Sequence, residues 1–174
     1  MSTTQKREVE RKFLLRRMPR CRYDRHFYIT QRYTPEGVRY RQCVEQNEPT
    51  SKWEFTKTVF TKVNNFERIK IETSLTLEEH HAAIVACTKV LGKTRAILKH
   101  DKLQFTVDVI LSGSVLLKVA YIGDDLQGIE AFKSEQIQFP KAVQEEVFVE
   151  ITGVEKFFGF NLALERLKDA DQNA

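Results

Sequence analysis

Polar and apolar residues alternate along much of the chain. The stretches 7–15, 26–34, 37–44, 51–59, 65–73, 93–100, 103–111, 115–122 and 146–151 are rich in β-branched or aromatic residues and predict strands. "TPEG" at 34–37 predicts a hairpin turn, and "QNEPTS" at 46–51 a polar loop. Helical periodicity is rarer. "TLEEHHAAIVACTKVL" opens on Thr76 with Glu79 three residues later, the pattern of a capping box. Its Leu77, Ile84, Cys87 and Leu91 fit one helical face. "TGVEKFFGFNLALERLK" offers a second such pair, Thr152 with Glu155, and predicts a terminal helix. A shorter helix is expected over 127–138. The fold class expected is α+β, mainly β, with a few covering helices.

Several strands alternate in an unusual way. "REVERKFLL" (7–15) puts Glu8, Glu10 and Lys12 at every second position, and side chains two apart on a strand share a face. "VRYRQ" does the same for Arg39 and Arg41, and "GKTRAILK" for Lys93 and Arg95, while "FTK" carries Lys57. "TVDVI" adds Asp108 and "VFVEITG" adds Glu150. A β-sandwich with one wet face also shows alternating charge. Charged doublets that recur on several strands fit a sheet closed into a barrel, where the inward faces meet and the charges converge. A lumen of that kind suits water and a highly charged ligand.

Composition narrows the class. The 174 residues are a single-domain length, taken here as one domain over 1–174, with 41% hydrophobic and 30% charged residues in the range of a soluble globular protein. No apolar run approaches the roughly 18 residues of a membrane span, and the N-terminus lacks the apolar region of a secretory signal. Cys21, Cys43 and Cys87 are odd in number and form no CxxC, which argues against a disulfide framework or structural zinc and fits reduced thiols in a cytoplasmic protein. The four histidines also lack ligand spacing, and the adjacent His80 and His81 are expected to be partly solvated.

Charge is uneven: residues 1–72 carry 17 Lys/Arg against 9 Asp/Glu, whereas 73–174 carry 11 against 15. The basic first half suggests an anionic partner. Neither common nucleotide-binding glycine loop is present, and no serine elbow or Cys/His pair can be located. Trp53, Phe55, Phe157 and Phe158 are read as core in preference to base-stacking positions. The basic stretch 16–25 is read as a solvated loop in preference to an RNA or lipid contact.

The ordered set of motifs is similar to that of the CYTH superfamily, the triphosphate tunnel metalloenzymes. Glu8-x-Glu10-x-Lys12 matches its ExExK signature. The Arg39/Arg41 pair, Lys57, "KTR" at 93–95, "VD" at 107–108 and "EITG" with Lys156 and Phe157 follow in the family's order, over about residues 5 to 165. The resemblance implies an eight-stranded antiparallel tunnel that binds a triphosphate end-on. Members hydrolyse inorganic triphosphate, nucleoside triphosphates, thiamine triphosphate or the 5′-triphosphate of RNA, and one branch makes cyclic AMP.

Carried over, Lys12, Arg39, Arg41, Lys57, Lys93 and Arg95 would grip phosphoryl oxygens. A triphosphate carries about four negative charges, and such bases supply charge-assisted bonds to it. Glu8, Glu10 and Glu150, with Asp108 as a lesser member, would hold Mg²⁺ or Mn²⁺. Glu8, Glu10 and Lys12 would form the catalytic set, with a metal-bound or carboxylate-oriented water attacking the terminal phosphorus.

The chain departs from the pattern on two strands. "FERIKIETS" places Arg68 and Lys70 where the family has acidic residues, with Glu72 following on the same face. "LLKVAY" places Lys118 and Ala120 where a second acidic pair is expected. A one-residue slip that brought Glu67 inward would also turn Ile69 and Ile71 into the lumen, so that register is rejected. Two functions follow. One is a metal-dependent hydrolase of the terminal phosphate of an inorganic or organic triphosphate or an RNA 5′ end. The other is a non-catalytic tunnel for triphosphate, nucleotide or polyphosphate in which Arg68, Lys70 and Lys118 replace the cation. Cyclase chemistry, which needs two aligned metals, fits the scarce carboxylates less well.

Overall fold

The computed structural model describes residues 2–123 and 125–165. Eight strands run in antiparallel pairs: β1 (Thr3–Leu15), β2 (Arg25–Tyr33), β3 (Arg39–Glu45), β4 (Glu54–Lys62), β5 (Glu67–Leu75), β6 (Lys89–His100), β7 (Leu103–Ile110) and β8 (Val115–Tyr121). Their order β6-β2-β3-β4-β5-β1-β8-β7 closes on itself because β6 also pairs with β7. A short β9 (Val147–Glu150) pairs with β1, and β10 (Leu164–Glu165) with β6. Four α-helices complete the described chain: α1 (Leu77–Ile84), α2 (Leu126–Ser134), α3 (Lys141–Gln144) and α4 (Gly159–Leu162), with a 3₁₀ turn at Glu155–Phe157. No described helix is long and apolar enough to cross a membrane.

Closure divides every strand into an inward and an outward set. Directly paired residues share a face, so one inward residue fixes its neighbours around the barrel. Glu10 faces Ala120, Lys12 faces Lys118, and Glu8 faces Arg68. Onward from β5, Glu72 faces Thr58, which faces Arg39, which faces Tyr33. Through β2 the set reaches Lys93 opposite Ile29, and through β6 it reaches Asp108 opposite Arg95.

The main hydrophobic core consequently lies outside the barrel. Val9, Phe13 and Leu15 of β1, Phe105 and Val107 of β7, and Leu117 and Val119 of β8 turn outward. Ile129 and Phe132 of α2, Val143 of α3 and Ile137 cover them. Phe139 meets the Phe13 ring edge-on at 5.1 Å. A second apolar cluster forms at one end of the lumen, where Tyr33, Leu91, Ile110 and Leu116 meet Ile151, Phe157, Phe160 and Leu162. Gly159 lies so close to the Tyr33 hydroxyl that a Cβ there would collide with it.

The turns obey their sequence. Gly37 has φ +84°, a value glycine adopts freely, and its N–H donates to the Thr34 carbonyl at 2.9 Å. The Thr76/Glu79 capping box forms: the Thr76 hydroxyl accepts from Glu79 N–H, and the Glu79 carboxylate accepts from Thr76 N–H.

Two helical expectations and one about burial need correction. The helix begun at Leu77 ends at Ile84, and Leu91 belongs to β6, where it faces the lumen cluster. The second capping box does not form. Thr152 instead accepts from Lys12 N–H and donates to Glu150, and the chain makes only a 3₁₀ turn, one turn of α4 and β10 before residue 165. The predicted continuation of that helix past 165 lies outside the described residues. His80 is also fully buried, its ring 4.9 Å from Phe55, and not solvated as expected. Burial, then the nearby Arg32, lowers its pKa. Cys43 and Cys87 are buried and Cys21 half-buried, and none of the three forms a disulfide among the described residues.

Leu117 has no exposed surface and sits under α2 and α3. Leu117→Ala should destabilise the fold by about 2–5 kcal/mol, the usual range for a buried leucine truncation. Urea unfolding would read this as a lower midpoint with an unchanged slope.

Candidate functional site in the barrel lumen

The inward residues form linked ion pairs around four carboxylates. Asp108 takes a bidentate contact from Arg95, Nε to Oδ1 at 2.6 Å and a terminal nitrogen to Oδ2 at 2.8 Å. Lys93 Nζ lies 2.8 Å from the same Oδ2. Glu10 is approached by Lys12 at 3.3 Å, Arg68 at 3.3 Å and Lys118 at 3.9 Å. Arg68 also contacts Glu8, its Nε 2.9 Å from Oε2, while Lys70 stands 3.9 Å from Oε1. Glu72 gathers Lys70 at 2.8 Å, Arg41 at 3.4 Å and Arg39 at 3.7 Å.

Beside these pairs lies a cavity of about 290 Å³. Its lining includes Lys12, Arg39, Arg68, Lys93, Arg95 and Lys118 as well as Glu10 and Asp108. Aromatic faces hold some of the bases. Phe60 has the Arg68 guanidinium 4.3 Å and the Arg39 guanidinium 4.7 Å from its ring centre, and Lys12 lies 4.4 Å from that of Phe158.

Burial and charge pull the titrating groups in opposite directions. Burial raises the Glu10 pKa, but Lys118, Arg68 and Lys12 together outweigh it and hold the carboxyl at about 2. Glu8 and Glu72 are lowered for the same reason, and Asp108 lies far below the ordinary carboxylate range because of Arg95 and Lys93. The bases bear the cost. Burial, then the neighbouring Arg95, lowers Lys118 to about 8, against the opposing pull of Glu10. Burial and then Arg41 bring Arg39 down to about 10. Lys93 is lowered well below its usual value by burial in spite of Asp108.

Most of the charged residues expected in the lumen meet there: Glu8, Glu10, Lys12, Arg39, Arg41, Arg68, Lys70, Lys93, Arg95, Asp108 and Lys118. Two do not. Lys57 pairs with Tyr40 and Thr73, between the inward Thr56 and Thr58, and so faces outward. Its strand extends to Lys62, and pairing with Arg39 and Arg41 turns the even-numbered residues of β4 inward. Glu150 pairs with Phe13 and therefore shares the outward face of β1. Arg11 holds it with Nε at 2.9 Å, and the Thr152 hydroxyl donates to it at 2.6 Å.

Glu72 was readable as an inward residue but not as a partner of Arg39 and Arg41, because pairing across β4 is invisible in the strand itself. Glu67 turns outward to Arg7 and Lys133, both at 2.6 Å, in agreement with the rejection of the register slip that would have brought it inward. Among the described residues, no three His, Cys, Asp or Glu side chains converge as metal ligands would.

Asp108→Asn should leave Lys93 and Arg95 buried without their counter-ion and destabilise the fold by about 3–5 kcal/mol, measurable by denaturant titration. Glu10 titrates lower in the folded than in the unfolded chain, so its stabilising contribution is present above its ordinary pKa. That contribution is lost as pH falls toward about 2. Thermal melts across pH 5 to about 2 should therefore show a shallower acid dependence for Glu10→Gln than for wild type.

No protein-family model matches the chain, and no curated protein matches it in sequence. Solved structures do. The protein described as the inorganic triphosphatase NE1496 is 22% identical, with 90% of this chain and 94% of that one covered at a TM-score of 0.55. A conserved hypothetical protein from Pyrococcus furiosus is 16% identical, covering 81% of this chain and 94% of that one at 0.50. The PH1819 protein from Pyrococcus horikoshii OT3 is 13% identical, covering 72% and 86% at 0.50. The chain shares with these proteins the fold of a closed eight-stranded antiparallel barrel.

Proposed function

We propose that the lumen binds a linear oligophosphate end, either inorganic triphosphate or the triphosphate of a nucleotide or an RNA 5′ end. The observation that carries this reading is an uncompensated set of fixed cations. Eight bases (Lys12, Arg39, Arg41, Arg68, Lys70, Lys93, Arg95 and Lys118) share four carboxylates in the ion pairs described. The formal excess of four positive charges matches the about four negative charges of a triphosphate.

Register makes the excess costly without a ligand. Lys12 directly opposes Lys118 on the inward face, both of them shielded from solvent. Like charges directly across a strand pair are destabilising, and an anion between them removes that penalty. The Nε–H groups of Arg39 and Arg41 are buried without acceptors, and phosphoryl oxygens would supply them.

A second reading, release of the terminal phosphate, is favoured by the name of one structural neighbour, an inorganic triphosphatase. Glu8 and Glu10, both kept ionised, could orient a water beside the bound phosphate. A phosphate-release assay on tripolyphosphate, ATP and triphosphate-ended RNA, each with and without Mg²⁺ or Mn²⁺, separates the two readings.

Calorimetry should show tripolyphosphate binding far more tightly than monophosphate, because a single phosphate meets few of the bases. Equal affinities would overturn end-on binding. Arg41→Ala should weaken tripolyphosphate by about 1.5–3 kcal/mol, the scale of a hydrogen bond between charged groups, while the outward Lys57→Ala leaves it unchanged.

Binding should also depend on pH. A bound polyanion favours protonated Lys118, whose free-state pKa is about 8, so the bound pKa is higher. Affinity should then fall as pH rises past about 8, with proton uptake on binding, and Lys118→Gln should remove that component of the profile.

A further inference from the structure

The carboxylates that would hold a divalent ion are already bridged by protein cations. Arg68 contacts both Glu8 and Glu10, with Nε 2.9 Å from Glu8 Oε2 and a terminal nitrogen 3.3 Å from Glu10 Oε1. A metal joining these two carboxylates would need the position that the guanidinium fills. Lys118 and Lys12 flank Glu10 on the remaining sides, and Lys70 stands by Glu8. Asp108 has both oxygens engaged by Arg95 and Lys93, and Glu150 faces away from the lumen with Arg11. The donor set does not fit Mg²⁺, which asks for near-octahedral oxygen ligands at about 2.1 Å.

We infer that Arg68, Lys70 and Lys118 are built-in counter-cations, so that the tunnel takes the metal-free oligophosphate and divalent ions act as competitors. This rests on the oligophosphate reading above and specifies the form of ligand that the site accepts. Two physical consequences follow from the geometry. A triphosphate complexed with Mg²⁺ has lost about two of its negative charges, so it is attracted less by an array carrying a fixed excess. The complexed ion also meets Arg68, Lys70 and Lys118 around Glu8 and Glu10, and these guanidinium and ammonium groups are donors with no lone pair to offer a metal.

The test is calorimetric titration of the full chain with tripolyphosphate, once in EDTA and once in excess MgCl₂. Saturable binding in EDTA that weakens about tenfold or more with Mg²⁺ is expected, the size of losing one charge-assisted contact. Binding that appears only with Mg²⁺, or tightens with it, overturns the inference and leaves the oligophosphate reading standing. Absence of binding in both buffers overturns both.

A second titration uses MnCl₂ alone. Wild type should take up none, and saturable uptake would overturn the inference. Lys118→Glu places a carboxylate beside Glu10. It should weaken binding in EDTA by about tenfold or more and make the residual binding rise with Mn²⁺. A variant that folds, by its circular dichroism and melting curve, yet binds in EDTA as wild type does would overturn the role given to Lys118.

Discussion

Pairing of buried cations with too few carboxylates is the constraint around which the barrel is organised. Each inward carboxylate holds two or three bases, so none of the four is expendable. Removing charge from water is expensive and is offset only where partners are close. Here they are close because strand register puts them so: Arg95 lies directly opposite Asp108, and Arg68 opposite Glu8.

A lumen given over to charge cannot also serve as the hydrophobic core. That role passes to the outer face of β1, β7 and β8, where α2 and α3 bury Phe13, Phe105, Val107 and Leu117. One strand thereby serves both purposes. In β1 the even positions Glu8, Glu10 and Lys12 face the lumen, and the odd positions Val9, Phe13 and Leu15 anchor the helical layer. Arg11, between Val9 and Phe13, does not join that core. It uses its place beside that layer to hold Glu150 and to donate to the Phe132 and Glu135 carbonyls.

Period-two reading of the sequence located the eight barrel strands and most of the lumen residues, since alternation within a strand is a local property. It succeeded for Arg68, Lys70 and Lys118 because the neighbouring isoleucines and valines left only one plausible inward face. It failed for Lys57, whose face depends on pairing with β3, and for Glu150, whose short strand joins β1 through Phe13. The terminal helix failed for a related reason. Thr152 is drawn to the backbone of Lys12 and to Glu150, and those long-range partners compete with the local cap. His80 carried no signal of burial, because the apolar residue that covers it, Phe55, lies on a distant strand.

The Phe60 ring shared by Arg39 and Arg68 bears on selectivity. A free arginine side chain surrenders about 2 kcal/mol of rotamer freedom when it is immobilised. Here the aromatic face and the carboxylates have already restrained both guanidiniums, so little of that loss would fall on the capture of an anion. A patch of mobile surface lysines can rearrange around an anion of almost any shape. An array whose positions are set beforehand cannot, and it would sort anions by the spacing of their charges as well as by their number.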